Sequence, residues 1–560
     1  MYLILINIYF MQKTCNQCNK QFSLTEKDFK FYERIGVPVP DFCPEDILRQ
    51  VMSLRNERRL YKRKCDTTGE EIISAYNINV PFPVYKNDIW WGDTWDGLDF
   101  GKAFDFSKSF FDQFIEIRNK VPREGTSIFH SENCDYNSHM RVSKNCYLCS
   151  LTHKVEDCHY SYWVVDSNDL IDCSSTILSE LCYDCVNCEK CFSCVFTQEC
   201  NNCNDCYFSY QLKSCDHCIG CTNLYQKSYH VFNKKVTKEE YEEIKNKMLN
   251  GSYKTWNKNL QKFKEIWENT SHRFVHNLNC ENVEGDSMTN CRNSFYIFQG
   301  LNCEDCYYSA SLSDSKDIYN SYAIGWTASE IVYYSCVVRG CTNIVFSYYV
   351  WFSSNLYYCD SCASCHNCFG CIGLKHKKYC ILNKQYTKEE YEELVPKIIE
   401  HMRKNEEWGK IPNNFSTFAY NETVANEYFP LTKEEALKRG FKWSDYIAPI
   451  PKVDKIIDSN QLPDNIKDTP DDVLNWAIKC EKTGRPFKLI PQELDFYRKH
   501  NLPIPRISPE MRMRLRDRRR NPYRLLLRNC SNCNKEIHTS YSKDYPEKVL
   551  CEECYLKEVY

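Results

Sequence analysis

At 560 residues the chain is too long for one ordinary core, so two to four domains are expected. A net charge of −3 supplies no global field for nucleic acid or a membrane surface, and no run reaches the roughly 18–20 apolar residues of a membrane span. Thirty-seven cysteines would suggest disulfides in a secreted chain, but no convincing export signal accompanies them, so a reducing cytoplasm with metal sites and core thiols is expected.

The opening, "MYLILINIYF", is apolar and lacks a basic region or a small-residue cleavage site. Met11 is therefore expected to be the true start, with 1–12 non-native or disordered; a short apolar strand is the alternative. A first module is placed at 13–95. It opens with "CNQCNKQFSLTEKDFKFYERIGVPVPDFCPED", in which Cys15, Cys18, Cys43 and Asp46 are the candidate metal ligands. This pattern of CxxC, a Phe-Tyr pair, a Pro-rich stretch and a second knuckle resembles the probable zinc-ribbon domain family. Asp46 departs from it, standing where the family has a fourth cysteine. The wider sequence resembles uncharacterised cysteine-rich zinc-ribbon proteins of uncultured bacteria.

After a linker at 96–130, a cysteine-rich tract is assigned to 131–235. Sixteen cysteines from Cys134 to Cys221 share one phase modulo three, and no charge interrupts that phase up to residue 224. A helical spacer (236–276) and a second tract (277–386) follow, the copies being related by a shift of 150 residues over 218–243 and 368–393. In rows of twelve, the second tract gives columns such as Ser329, Cys341, Ser353, Cys365 and Val332, Ile344, Leu356, Cys368. The first tract contributes Cys134, Cys146, Cys158, Leu170, Cys182, Cys194, Cys206, Cys218.

Like stacked on like every twelve residues predicts a tight β-solenoid, mainly β with α, with turns adding about 4.8 Å each. The geometry resembles the twelve-residue coils of beetle antifreeze proteins, without their Thr-x-Thr ladder. The register slips by one residue near Ala328, expected as a bulge or turn adjustment. The inward cysteines are expected to be small apolar thiols; disulfide ladders and soft-metal loading remain open. Of the aromatic residues beside the inward phase, Tyr147, Tyr183, Phe192 and Tyr207 could form a binding stripe but are expected to pack on other elements.

Capping boxes at Thr237/Glu240, Thr387/Glu390 and the start of "LTKEEALKRG" predict helices, the first two placed to cap the tracts. A helix and linker fill 387–475. The module of the first 95 residues returns at 476–560, shifted by 465 residues, so that Cys15 falls on Cys480 and Cys65 on Cys530. Here Cys530, Cys533, Cys551 and Cys554 have zinc-ribbon spacing, so zinc is the expected cofactor. Each copy has kept one of two sites. Cys65 faces Thr68, Lys86 and Ile89, while Cys480 faces Thr483, Ser508 and Met511.

Seven Arg/Lys lie in 49–64 and eight Arg in 512–528. Arg55, Arg58, Arg59, Arg518, Arg519, Arg520 and Arg524 are therefore candidates for nucleic-acid phosphates. There is no P-loop, dinucleotide fingerprint, HExxH or nucleophile elbow. The expectation is a non-enzymatic, zinc-binding repeat scaffold for a protein or nucleic-acid partner. Nucleic-acid binding through the basic stretches, or thiol redox chemistry or metal storage in the bore, are the alternatives.

Overall fold

The structure is a computed structural model that describes residues 11–325 and 327–559. Most of the proposed non-native start lies outside the described residues. Its last two positions are ordered, because Met11–Thr14 is a strand paired antiparallel with Gln21–Leu24. The chain is mainly β with α, and its two large sheets are built almost wholly from parallel pairs. Among the described residues no helix is long and apolar enough to cross a membrane.

The twelve-residue period is the register of these sheets. Tyr162 pairs with Ser150 on one side and Ser174 on the other; Ile344 pairs with Val332 and Leu356. Every residue of the columns named above is at most 3% exposed. The slip near Ala328 is larger than expected. Ser315 pairs with Ser329 and Tyr322 with Cys336, fourteen residues apart, so two residues rather than one are added between Ile324 and Ser329.

Three-residue sides require a corner at every third position, and the backbone shows how it is made. The residue before most inward positions is left-handed, as at Asn133, Asn145, Asp157, Asp169, Leu181 and Asp205, with φ between 51° and 55°. Asn and Asp tolerate this conformation because their short side chains bond locally; a leucine there costs about 1–2 kcal/mol. The enrichment of Asn and Asp just before the inward residues was the sequence signal for these corners.

The inward residues are small for a polar reason as well as a steric one. Ser179 Oγ donates to the Ile177 carbonyl at 2.9 Å and accepts the backbone N–H of Cys191, one turn on, at 3.0 Å. Ser347 repeats this with Val345 and Cys359. A thiol does the same at Cys341, which donates to the Arg339 carbonyl and accepts the Ser353 N–H at 3.3 Å. Serine and cysteine thus satisfy inward N–H groups that a purely apolar core would strand. The described cysteines are all free thiols.

The chain divides into two compact units. One holds residues up to Gly125, Val275–Asp445 and Tyr523–Leu525; the other holds Thr126–Phe274, Tyr446–Pro522 and the residues from Leu526. Each therefore combines one end module with the tract more distant from it along the chain. In the first unit Phe31, on helix Glu26–Arg34, stacks on Tyr319 of the second tract at 3.7 Å. In the other, Tyr497, on helix Pro491–Lys499, meets Tyr183 of the first tract at 5.7 Å.

All three capping boxes form, opening helices Lys238–Met248, Lys388–Lys404 and Lys433–Lys438. The first two pack on the last parallel strands of their tracts, Tyr241 against Tyr229 and Tyr391 against Tyr379. Tyr183 and Tyr207 are buried, and Tyr147 packs edge-on against Tyr160. Phe192 stays 45% exposed, so it does not share the packing expected of the others.

Candidate metal centres

Four hairpins of the two modules end in the same turn. Cys15 N–H donates to the Lys20 carbonyl, and Asn19 N–H donates back to the Cys15 carbonyl, both at 2.9 Å. Cys65 with Gly69, Cys480 with Gly484 and Cys530 with Asn534 repeat it. The residue four after each cysteine, Asn19, Gly69, Gly484 or Asn534, is left-handed at φ 60–73°. These are the residue types that accept such a backbone.

The second half of each site starts a helix. Cys43 caps Pro44–Met52, and Cys551 immediately precedes Glu552–Val559. Lys86 and Ser508 cap Asn87–Trp91 and Pro509–Asp517 at the matching positions. In all four places the backbone N–H at the start of the helix donates to the sulfur of the hairpin's first cysteine, at 3.2–3.3 Å. The scaffold of four knuckle pairs is intact; only the side chains distinguish the sites.

Two sites retain a full set of donors. Cys530, Cys533, Cys551 and Cys554 form one group, and Cys15, Cys18, Cys43 and Asp46 the other, with all ligand atoms in each within 4.8 Å of one another. Cys533 and Cys551 sulfurs are 3.7 Å apart, as are Cys18 and Cys43. A tetrahedral thiolate site with metal–sulfur bonds of about 2.3 Å has edges of about 3.8 Å, so the donors fit a four-coordinate ion of zinc's size. Burial opposes the thiolate at Cys530, but backbone N–H groups of Cys533, Cys551 and Asn532 outweigh it and hold the group down to about 6. At Cys15 burial is likewise outweighed, by N–H groups of Cys43, Cys18 and Gln17, and its pKa is lowered. Both hairpins are therefore prepared to present sulfur as an anion.

Asp46 completes the first site with oxygen. Its Oδ2 accepts from Cys15 Sγ at 3.2 Å and Cys43 Sγ at 3.4 Å. Its Oδ1 pairs with Arg49 and, at 3.4 Å, with Arg439. Arg439 lies 393 residues along the chain from Asp46, so no local spacing reveals it.

Cys65 and Cys480 belong to no such group among the described residues, and neither do the bore thiols. Bore sulfurs point at backbone: Cys182 donates to the Glu180 carbonyl at 3.3 Å and Cys185 to that of Tyr183 at 3.6 Å.

The basic stretches are in large part turned inward rather than presented as one open basic face. Arg55 is 5% exposed and pairs with Glu57 at 2.9 Å, and Arg58 pairs with Glu427 at 3.6 Å. Arg519 pairs with Asp184, and Arg520 is buried over Tyr162. Arg524 is half-buried near Tyr296, leaving Arg59 and Arg518 exposed. Arg512 and Arg516 are more deeply engaged: both bind Asp172 at 2.7 Å, and Arg512 also binds Glu493 at 2.9 Å. Packing drives this inversion, because each stretch lies between its module and a tract. Composition alone did not show that Asp172 and Asp184 of the first tract, Glu493 of the module and Glu427 after the second tract supply carboxylates.

No protein-family model matches the chain, and no curated protein matches it.

Proposed function

We propose that this protein is a zinc-stabilised, non-enzymatic scaffold. Two twelve-residue β-solenoids form its two main parts, and each carries a zinc-ribbon module. The observation that carries the reading is the convergence of Cys530, Cys533, Cys551 and Cys554 in a module whose own buried apolar cluster is small. In such a module metal-binding free energy is largely folding free energy. Cys15, Cys18, Cys43 and Asp46 form the second zinc site of this proposal.

The partner of the scaffold is proposed to be a protein rather than nucleic acid. What favours this is the engagement of Arg55, Arg58 and Arg519 with carboxylates of the chain itself.

Elemental analysis of native protein purified without added metal tests the reading. About two zinc ions per chain is the expected result, whereas eight or more would mean that the bore is loaded and the chain stores metal. Retention on immobilised RNA or DNA tests the partner class. Binding that is lost in Arg518→Ala would restore the nucleic-acid reading.

A further inference from the structure

The N-terminal centre differs from the C-terminal one in what surrounds it as well as in Asp46. Its carboxylate oxygen that faces away from the sulfurs meets two guanidinium groups, of Arg49 and Arg439. Arg49 is held within its own helix and also reaches Glu45 at 3.2 Å. Arg439 is the C-cap of helix Lys433–Lys438 and arrives from the segment after the second tract. The first knuckle has a further contact with that segment. Gln17, between Cys15 and Cys18, accepts from Asn413 Nδ2 at 2.9 Å, and the same amide nitrogen donates to the Arg439 carbonyl at 2.6 Å. Gln50, on the helix that carries Asp46, donates to Asn413 Oδ1 at 2.6 Å. One asparagine therefore joins both halves of the metal site to residues 405–441.

Resting on the reading of this site as metal-binding, we propose that Arg439 is its positioning residue and that the bound metal locks residues 405–441 onto the module. Three thiolates and a carboxylate around a divalent ion carry two surplus negative charges, which two guanidinium groups offset. A carboxylate fixed through its outer oxygen presents the inner one in a single orientation, the role that outer-sphere partners play at metal centres. Conversely, the metal fixes Asp46 and the Cys15–Cys18 knuckle, the two points on which Arg439 and Asn413 hold. Other contacts hold the segment at points away from the ligands, among them Trp408 Nε1 to the Gly36 carbonyl at 3.2 Å, Ser416 Oγ to the Ser53 carbonyl at 2.6 Å and the buried side chains of Phe415, Tyr420 and Val424. They would keep the segment nearby when the metal leaves, so its release is local.

The experiment uses the full chain, with cobalt(II) as the probe and limited proteolysis as a second readout. In Arg439→Ala the N-terminal site should bind cobalt about tenfold more weakly, within the range of outer-sphere effects. The C-terminal site should keep its affinity, and Arg439→Lys should recover part of the loss. Asp46→Cys should convert the cobalt spectrum of this site to that of a four-sulfur site. Chelation, or Cys18→Ser, should open 405–441 to protease, while Cys533→Ser should remove the other metal without doing so. Two metals per chain together with unchanged cleavage of 405–441 after chelation would overturn the coupling and leave the metal reading intact. One metal per chain, with no change in Asp46→Cys, would overturn both.

Discussion

The backbone N–H of Ser508 donates to the sulfur of Cys480 at 3.3 Å, the same bond that Cys551 makes to Cys530. A knuckle pair with a cysteine at only one of its four ligand positions thus makes the same hydrogen bond to that first sulfur. Cys480 is 2% exposed and serves the hairpin as an acceptor and filler. Cys480→Ser should therefore retain all metal and cost little, since a hydroxyl also accepts that N–H. Cys533→Ser should lose one metal and open 530–554 to protease, while the tracts persist. Zinc content and limited proteolysis of the two variants check this. Loss of metal from the first and not the second would mean that the live and dead sites are assigned the wrong way round.

A second prediction concerns the inward hydroxyls. Ser179→Ala removes the acceptor of the Cys191 N–H and leaves a buried donor unpaired, at a cost of about 1–3 kcal/mol. Ser179→Cys should cost less, because Cys341 shows that a thiol accepts the equivalent bond. Cys194→Ser should be tolerated because serine already occupies inward positions such as Ser209, whereas Cys194→Asp would place a charge among fully buried thiols and should disrupt the tract. Urea denaturation followed by circular dichroism ranks the four variants. Equal stability of Cys194→Asp and Cys194→Ser would mean that this position faces solvent.

Much of this architecture was legible because its period is short and strict. The columns at 329–374 and the phase of Cys134–Cys221 identify the buried residues without reference to any distant part of the chain. The four cysteines from Cys530 to Cys554 were legible for the same reason, since two knuckles are local. What could not be read was long-range partnership. Arg512 and Asp172 are 340 residues apart, and Arg439 and Asp46 393 apart. A run of arginines looks alike whether it meets solvent or carboxylates from another part of the chain. Nor does sequence order say that the first module packs on the second tract.

A third prediction follows from the lowered pKa of Cys530. Burial would raise this thiol, but N–H groups of the knuckle bring it from the usual 9.0 to about 6. Because the folded value lies below the unfolded one, the contribution to stability is full above pH 9. It declines between 9 and 6 and is lost below 6. Metal binding further favours the anion, so the holo protein should release zinc as acidification protonates the ligands. A chromophoric chelator should report release that rises as pH falls from about 7 to about 5. Release independent of pH over that interval would mean that thiolate ligation does not control retention.

The fourth prediction sets the units against each other. In one, Asp172 is fully buried and receives Arg512 and Arg516 at 2.7 Å, with Glu493 completing the network through Arg512, Tyr160 and Tyr497. In the other, the module shift places Ile47 and Val51 where Arg512 and Arg516 stand, and Asp28 where Glu493 stands. The corresponding corner of the second tract is Asn320, left-handed at φ 50° as Asp172 is at 57°. One unit therefore places ions at these positions and the other buried aliphatic side chains. Removing one ion alone strands the rest, so Asp172→Asn should destabilise its unit by about 3–5 kcal/mol. Combining Asp172→Asn with Arg512→Ile and Arg516→Val reproduces the solution of the other unit and should recover most of that loss. Glu493 then loses Arg512 but keeps Tyr160 and Tyr497, and burial, which raises its pKa, favours its neutral form once the guanidinium is gone. Thermal denaturation of the single and triple variants measures the difference. A triple variant less stable than Asp172→Asn would show that the arginines stabilise the contact through more than their pairing with Asp172.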